Sequence, residues 1–279
     1  MIVSRGIDGD TSHENIGPAG VTLCGVGPLT SVVFPGAGVP VARERVEASL
    51  APREVLTEAR TSRGERVAVV HRPPRDDAPG PRRHVLFLYG NAMTLADTPP
   101  LRHVLAHRGH GVLCPDYLGY GLSEGTPTEG GCYRAAHAGL SLLAERYGAE
   151  PRDVDVVGWS LGSAVALHVA SRRDVRSLTL LSPFSGVASY ALGVARLGRL
   201  GATPLGAAGP FAGARRAAAV RCPTLLVGGE ADRVTPPAMA RDLAAAMGDR
   251  ARLVLVPGTG HNDLFSRPET WVEVHRFLR

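Results

Sequence analysis

The 279-residue sequence predicts an α/β fold, a mostly parallel central sheet with helices on both faces. Three observations carry that expectation. From residue 84 onward, short apolar runs alternate with longer stretches whose apolar residues recur near every 3.6 positions. The short runs are continuously apolar instead of alternating, as strands covered on both faces should be. The strands and helices alternate with no internal repeat, which argues for one mostly parallel sheet with helices on both sides.

Residues 1–50 show no clear period and are rich in Gly and Pro, so they read as an N-terminal extension. The domain is expected over 51–279. "EVLTEAR" and "RVAVVH" read as two strands around the turn "TSRGE". "HVLFLYG" is a third strand, ending in Gly90. "LRHVLAHRG" reads as a helix stopped by Gly109. "GVLCPD" is a strand and "GCYRAAHAGLSLLAERYG" a helix; "VDVVG" is a strand and "SLGSAVALHVASR" a helix. "VRSLTLLSP" and "PTLLVGG" are strands, the second followed by the helix "PAMARDLAAAMG". "ARLVLVPG" and "ETWVEVHRFLR" close the chain as strand and helix. Residues 185–217 interrupt the alternation and carry no charge except arginines. A small cap over a pocket, or a pair of linking helices, is expected there.

Composition narrows the function classes. Hydrophobic content of 44% and charged content of 20% fit a globular domain. The chain has no lysine, so all 31 of its basic side chains are arginines, and the net charge is +5. They are scattered, with pairs such as Arg82-Arg83, Arg172-Arg173 and Arg215-Arg216. No basic run of a nucleic-acid binder appears, and no nucleic-acid partner is expected. Cys24, Cys114, Cys132 and Cys222 lack zinc-ligand spacing and read as free thiols in a reducing compartment. The first residues lack the basic start and apolar run of a signal peptide, so a cytoplasmic location is expected. Residues 16–42 are uncharged but broken by Gly and Pro throughout. They read as a loop or strand lying on the domain, not as a membrane span.

The pattern Gly-x-Ser-x-Gly occurs twice, around Ser123 ("GLSEG") and around Ser160 ("GWSLG"). A nucleophilic serine belongs on a sharp turn between a strand end and a helix start, with glycines two residues either side to let strand and helix approach. Ser160 meets that context, because "VDVVG" leads in and "SLGSAVALHVAS" leads out. Ser123 runs into the turn-rich "GTPTEGG" and reads as a loop residue. A serine needs an adjacent base, and His has an ordinary pKa of about 6.5. His261, in "VPGTGHNDL" after the last strand, has the best setting of the ten histidines. Asp232, after the preceding strand, is expected to orient it. Glu230 is the rival acid, closer to the strand; the shorter, later carboxylate reaches back more readily. The order Ser, Asp, His follows. Backbone N–H donors for an oxyanion are expected from Leu161 and Asn91, with Ala92 the alternative to Asn91.

Together these residues make the chain resemble the α/β-hydrolase superfamily, in particular abhydrolase-domain proteins of the protein-depalmitoylase-like type and their bacterial relatives. The matching segments are "LFLYGNAMTL", "PDYLGYGLSEGTPTE", "VVGWSLGSAVALHVAS", "LLSPFSG", "LVGGEADRVTPP" and "VPGTGHND", in the expected order over about residues 55 to 279. The resemblance implies the α/β-hydrolase fold and Ser160, Asp232 and His261 as catalytic triad. It makes "DYLGYGLSEG" a structural loop held by Asp116. Relatives carry His before the Gly-Asn of the oxyanion loop, where this chain has Tyr89. The cysteine-rich tract that attaches eukaryotic depalmitoylases to membranes has no counterpart in residues 1–50, so membrane association is not expected.

The expected activity is hydrolysis of carboxylic esters or thioesters through an acyl-enzyme, on a small-molecule or acyl substrate and without cofactor or metal. A peptidase, a cofactor-free haloperoxidase or a non-catalytic ligand-binding protein on the same fold are the alternatives. Tyr89, Trp159 and Tyr190 are candidate pocket residues. His103 and His107, spaced i, i+4 with His110 close by, lack a zinc-protease pattern and read as a helix face. His168 reads as a packed helix residue. The Gly-Pro clusters near 201–213 read as irregular chain, not a phosphate loop, because no lysine follows.

Overall fold

The computed structural model describes residues 34, 41–77, 83–106, 109–186 and 211–279. Within them the strands are β1 (Val55–Arg60), β2 (Arg66–Arg72), β3 (His84–Leu88), β4 (Gly111–Pro115), β5 (Val154–Trp159), β6 (Ser177–Leu181), β7 (Thr224–Gly229) and β8 (Ala251–Val256). They form one eight-stranded sheet in the order β1-β2-β4-β3-β5-β6-β7-β8. β2 pairs antiparallel with β1 and β4; every other pairing is parallel. The continuous apolar runs of β3, β4 and β6 are buried at every position, as strands covered on both faces must be.

The described helices are α1 (Arg43–Ala48), α2 (Pro99–Leu105), α3 (Glu129–Tyr147), α4 (Leu161–Arg172), α5 (Gly213–Ala219), α6 (Pro237–Met247) and α7 (Pro268–Phe277). Short 3-10 turns at Leu95–Asp97 and Asp263–Ser266 lie in the loops after β3 and β8 and were not expected from periodicity. α2 begins two residues earlier than expected, on Pro99 and Pro100, where a helix has no use for the missing N–H donors. α3 also begins early: the Thr128 hydroxyl accepts from the Gly131 N–H and caps it, and Gly148, at φ 62°, ends it. The 19 residues of α3 bury Cys132, Leu140 and Leu143.

α1 falls inside the stretch expected as an extension. Val46 on α1 is fully buried, and Phe34 is buried too, so packing of the domain reaches upstream of residue 51. The segment before β1 is also tied in. The buried Arg102 on α2 and Glu54 form an ion pair at 2.8 Å, and Arg102 donates to the Leu95 carbonyl and the Thr98 hydroxyl as well. Buried charges persist only when so satisfied. Cys24, His107, Tyr190 and most of 185–217, including the Gly-Pro clusters, lie outside the described residues. No described helix is long and apolar enough to cross a membrane.

Candidate active site

Strands β3, β5, β6, β7 and β8 run parallel, so the loops after them gather at one edge of the sheet. Ser160 sits there between β5 and α4. Its φ of 53° and ψ of −119° place it in a backbone region that side-chain-bearing residues rarely adopt. The flanking glycines explain how the turn closes. A Cβ on Gly158 would collide with the Gly162 carbonyl and the Ala166 side chain; one on Gly162 would collide with the Leu88 carbonyl. The Ser160 N–H donates to the Leu181 carbonyl across to β6. The Ser163 hydroxyl donates to the Ser160 carbonyl at 2.5 Å and accepts from the Phe184 N–H at 2.8 Å. The strained turn is thus held from both sides. Ala92, Ser182 and Phe211, in loops nearby, also have positive φ.

The three residues expected to act together lie in one hydrogen-bonded line. The Ser160 hydroxyl lies 3.0 Å from His261 Nε2, and His261 Nδ1 lies 2.8 Å from Asp232 Oδ2. A carboxylate can only accept, so it fixes the proton on Nδ1 and leaves Nε2 as the acceptor facing the serine. Asp232 is itself held: its Oδ1 accepts from the Val234 and Thr235 N–H groups, both at 2.8 Å, and its Oδ2 from the Thr235 hydroxyl at 2.9 Å. Burial works to raise the Asp232 pKa. The bonds from His261 and Thr235 outweigh it and hold the carboxyl below its ordinary value. Glu230, the rival acid, is exposed, and its N–H pairs with the Val256 carbonyl.

The loop after β3 brings Gly90 and Asn91 beside this line. A Cβ on Gly90 would come within 2.9 Å of the Trp159 ring, so only glycine lets the loop lie so close to the strand that carries the serine. The Asn91 Oδ1 accepts from the Tyr120 hydroxyl at 2.8 Å and from the Ala92 N–H at 3.0 Å. Ala92, the alternative oxyanion donor, therefore has its N–H engaged by its neighbour. Leu161 is the first residue of α4, where backbone N–H groups point out along the helix axis.

Tyr89, expected in the pocket wall, is placed differently. It is fully buried, and its hydroxyl donates to Asp116 Oδ1 at 2.6 Å. Residue 89 follows β3 with its side chain turned into the interior, where a phenol must find a partner. Asp116 also accepts from the Leu95 and Leu122 N–H groups, at 3.0 and 2.9 Å. Its carboxylate thus clamps both ends of the loop after β3, and the loop after β4. Burial pushes the Asp116 pKa up to about 6, against these three bonds. Trp159 is half-buried, its ring 5.7 Å from that of His261 and 4.7 Å from that of Phe265. Ser123 is structural: its hydroxyl donates to the Asp116 carbonyl at 3.0 Å and accepts from the Ala68 N–H at 2.9 Å. His168 stacks on Tyr133 at 3.6 Å. His103 is exposed on α2.

Sequence reasoning missed Thr235, Ser163 and Tyr120. Thr235 and Ser163 carried a usable signal, a short polar residue three positions after an expected site residue, which can bond back to it. Tyr120 carried none.

A mostly parallel sheet with a strained serine turn, facing a histidine and a carboxylate at one edge, is the arrangement of the α/β-hydrolase class. The chain belongs to the α/β-hydrolase superfamily. The family model described as "Alpha/beta hydrolase family" matches residues 90–218, and that described as "TAP-like protein" matches residues 204–279. The chain is 34% identical over 233 residues to the uncharacterised Mycobacterium tuberculosis protein Rv2307c, covering 83% of this chain and 79% of that one. Among solved structures it resembles the Pyrococcus furiosus esterase Pf2001, with a TM-score of 0.67 at 17% identity, over 87% of this chain and 96% of that one. A puromycin-hydrolysing peptidase of Mycobacterium tuberculosis gives a TM-score of 0.63 at 22% identity, over 79% of this chain and 37% of that one. At these identities the two structures speak for the fold.

Proposed function

We propose that the protein is a serine hydrolase of carboxylic esters or thioesters, working through an acyl-enzyme on Ser160. The observation that carries this is the continuous line from the Ser160 hydroxyl through His261 to Asp232. His261 Nε2 takes the serine proton as Oγ attacks the substrate carbonyl. The N–H groups of Leu161 and Asn91 bind the oxyanion, a contribution of about 3 kcal/mol per donor in other hydrolases. His261 then passes the proton to the leaving alkoxide or thiolate, and the acyl group stays on Ser160. Water, losing a proton to His261, attacks the acyl-enzyme, and His261 returns that proton to Ser160 Oγ as the acid leaves. Asp232 holds the imidazole tautomer and stabilises the imidazolium throughout. The step needs no cofactor or metal. A small acyl substrate and a cytoplasmic location complete the reading. The esterase and peptidase names among the structural neighbours fit acyl transfer, and an amide substrate is the second reading.

The test is hydrolysis of p-nitrophenyl butyrate and of a matched p-nitroanilide, together with labelling by a fluorophosphonate. Ser160→Ala is expected to lower kcat/KM on the ester by at least about 10³-fold and to abolish labelling. Ser123→Ala should keep both. Label mapped to another residue, or full activity in Ser160→Ala, would refute the assignment. Anilide turnover exceeding ester turnover would make the protein a peptidase.

A further inference from the structure

Ser160 is flanked by two turns. On one side Gly90 and Asn91 lie beside Trp159; on the other, Phe184 follows β6 and donates its N–H to Ser163, which is bonded to the Ser160 carbonyl. An aromatic ring stands at each turn. Tyr120 is tied by its hydroxyl to Asn91, and Phe184 belongs to the second turn itself. Phe34 and Phe211 bridge them. The ring of Phe34 lies 6.4 Å from that of Tyr120 and 6.0 Å from that of Phe211, and Phe211 lies 6.1 Å from Phe184. The pairs with Phe34 are edge-on, at interplanar angles of 82° and 63°, the favoured geometry for packed rings. Phe34 is 6% exposed, Tyr120 1% and Phe211 0%, so these rings are shielded from solvent.

We propose that Phe34 closes the acyl side of the site and confines the enzyme to short acyl chains; this rests on the serine-hydrolase reading above. The physical reason is volume. The phenyl ring stands between Tyr120, which is tied to Asn91, and Phe211, which packs on Phe184 beside the serine turn, so an acyl chain running from Ser160 between the two turns would meet it. Its removal from a close-packed cluster leaves an apolar cavity that relaxes only in part. Such a cavity accepts methylenes that the intact wall excludes. Phe34 is thereby a specificity residue supplied from upstream of the sheet, within the stretch that carries no periodic signal of its own.

The experiment compares kcat/KM for p-nitrophenyl butyrate and octanoate in the full-length protein and in Phe34→Leu and Phe34→Ala. The wild type should prefer butyrate. The octanoate-to-butyrate ratio should rise in the order Phe, Leu, Ala, by about tenfold or more in Phe34→Ala, since each methylene admitted to an apolar pocket shifts discrimination by about tenfold or more. If Phe34→Ala fails to fold, a threefold or greater rise in Phe34→Leu decides for the proposal. A wild type that already prefers octanoate, or a ratio within twofold of wild type in the folded variants, overturns it while leaving the hydrolase reading intact. A wild type that hydrolyses neither ester and takes no fluorophosphonate label overturns that reading itself, and this proposal with it.

Discussion

Asp232 and Glu230 stand two residues apart at the end of β7, and only one of them faces His261. The difference is a matter of direction. Asp232 turns back into the site, where two backbone N–H groups and the Thr235 hydroxyl fix it; Glu230 points to solvent. Asp232→Asn should therefore lower kcat by up to about 10⁴-fold through the wrong imidazole tautomer, the size of the loss known for the equivalent change in a serine protease. Glu230→Gln should leave kcat within twofold. Steady-state kinetics on one ester checks both, and equal losses would show that the acid had been misassigned. Tyr89 shows the same dependence on direction. Next to Gly90 and Asn91 in sequence it reads as a pocket residue, yet its side chain is committed to Asp116 in the interior.

The turn from β5 into α4 depends on glycines whose side-chain positions are already occupied by other backbone. Gly162 meets the carbonyl of Leu88, which pairs with β5 at the end of β3, and that of Tyr89, which accepts from the Tyr117 hydroxyl. Neither side can yield without breaking the sheet. Gly162→Ala should therefore cost more than about 2 kcal/mol, at the upper end of single substitutions, and urea unfolding measures it. The N-cap of α3 offers a contrast. There Thr128 contributes one side-chain bond to the Gly131 N–H, and Thr128→Ala should cost only about 1 kcal/mol. A loss of 1 kcal/mol or less in Gly162→Ala would mean that the close approach of β3 and α4 is not needed.

Across the molecule, several histidines are buried as neutral groups. Burial lowers the pKa of His71 to about 4, with His84 and Arg146 adding to the shift, and lowers that of His168 to about 3. His84 and His137 are lowered by the same cause. A folded-state pKa below the unfolded value of about 6.5 means that the unfolded chain binds more protons between the two values. Stability is then full above pH 6.5 and is lost as the pH falls toward 4. Asp116 opposes this, since its raised pKa favours the folded state as it protonates below about pH 6. His71 alone should account for about 2 kcal/mol of loss between pH 7.5 and 5. The melting temperature of His71→Phe should therefore fall less than that of the wild type over this interval, by roughly 4–8 °C. Equal falls would show that His71 titrates normally.

The sequence by itself determined the alternation of strands and helices, the choice of Ser160 over Ser123, and His261 and Asp232 as its partners. Each of these is written in local chemistry: a strand that carries Gly158 next to its end, a helix that starts at once after Ser160, a strand β7 that ends in two glycines, and a glycine-rich loop after β8. Periodicity and turn residues report the conformation of a short segment, and the parallel order then brings the loops to one edge. The tertiary structure alone decided which way side chains point and what distant segments contribute. The inward turn of Tyr89, the bonds that Tyr89 and Leu95 make to Asp116, the burial of Phe34 against Tyr120 and Phe211, and the packing of α1 belong to that set. They depend on contacts between residues far apart along the chain. No local pattern encodes such contacts, because they are stabilised by volume and partners that exist only once the sheet has formed.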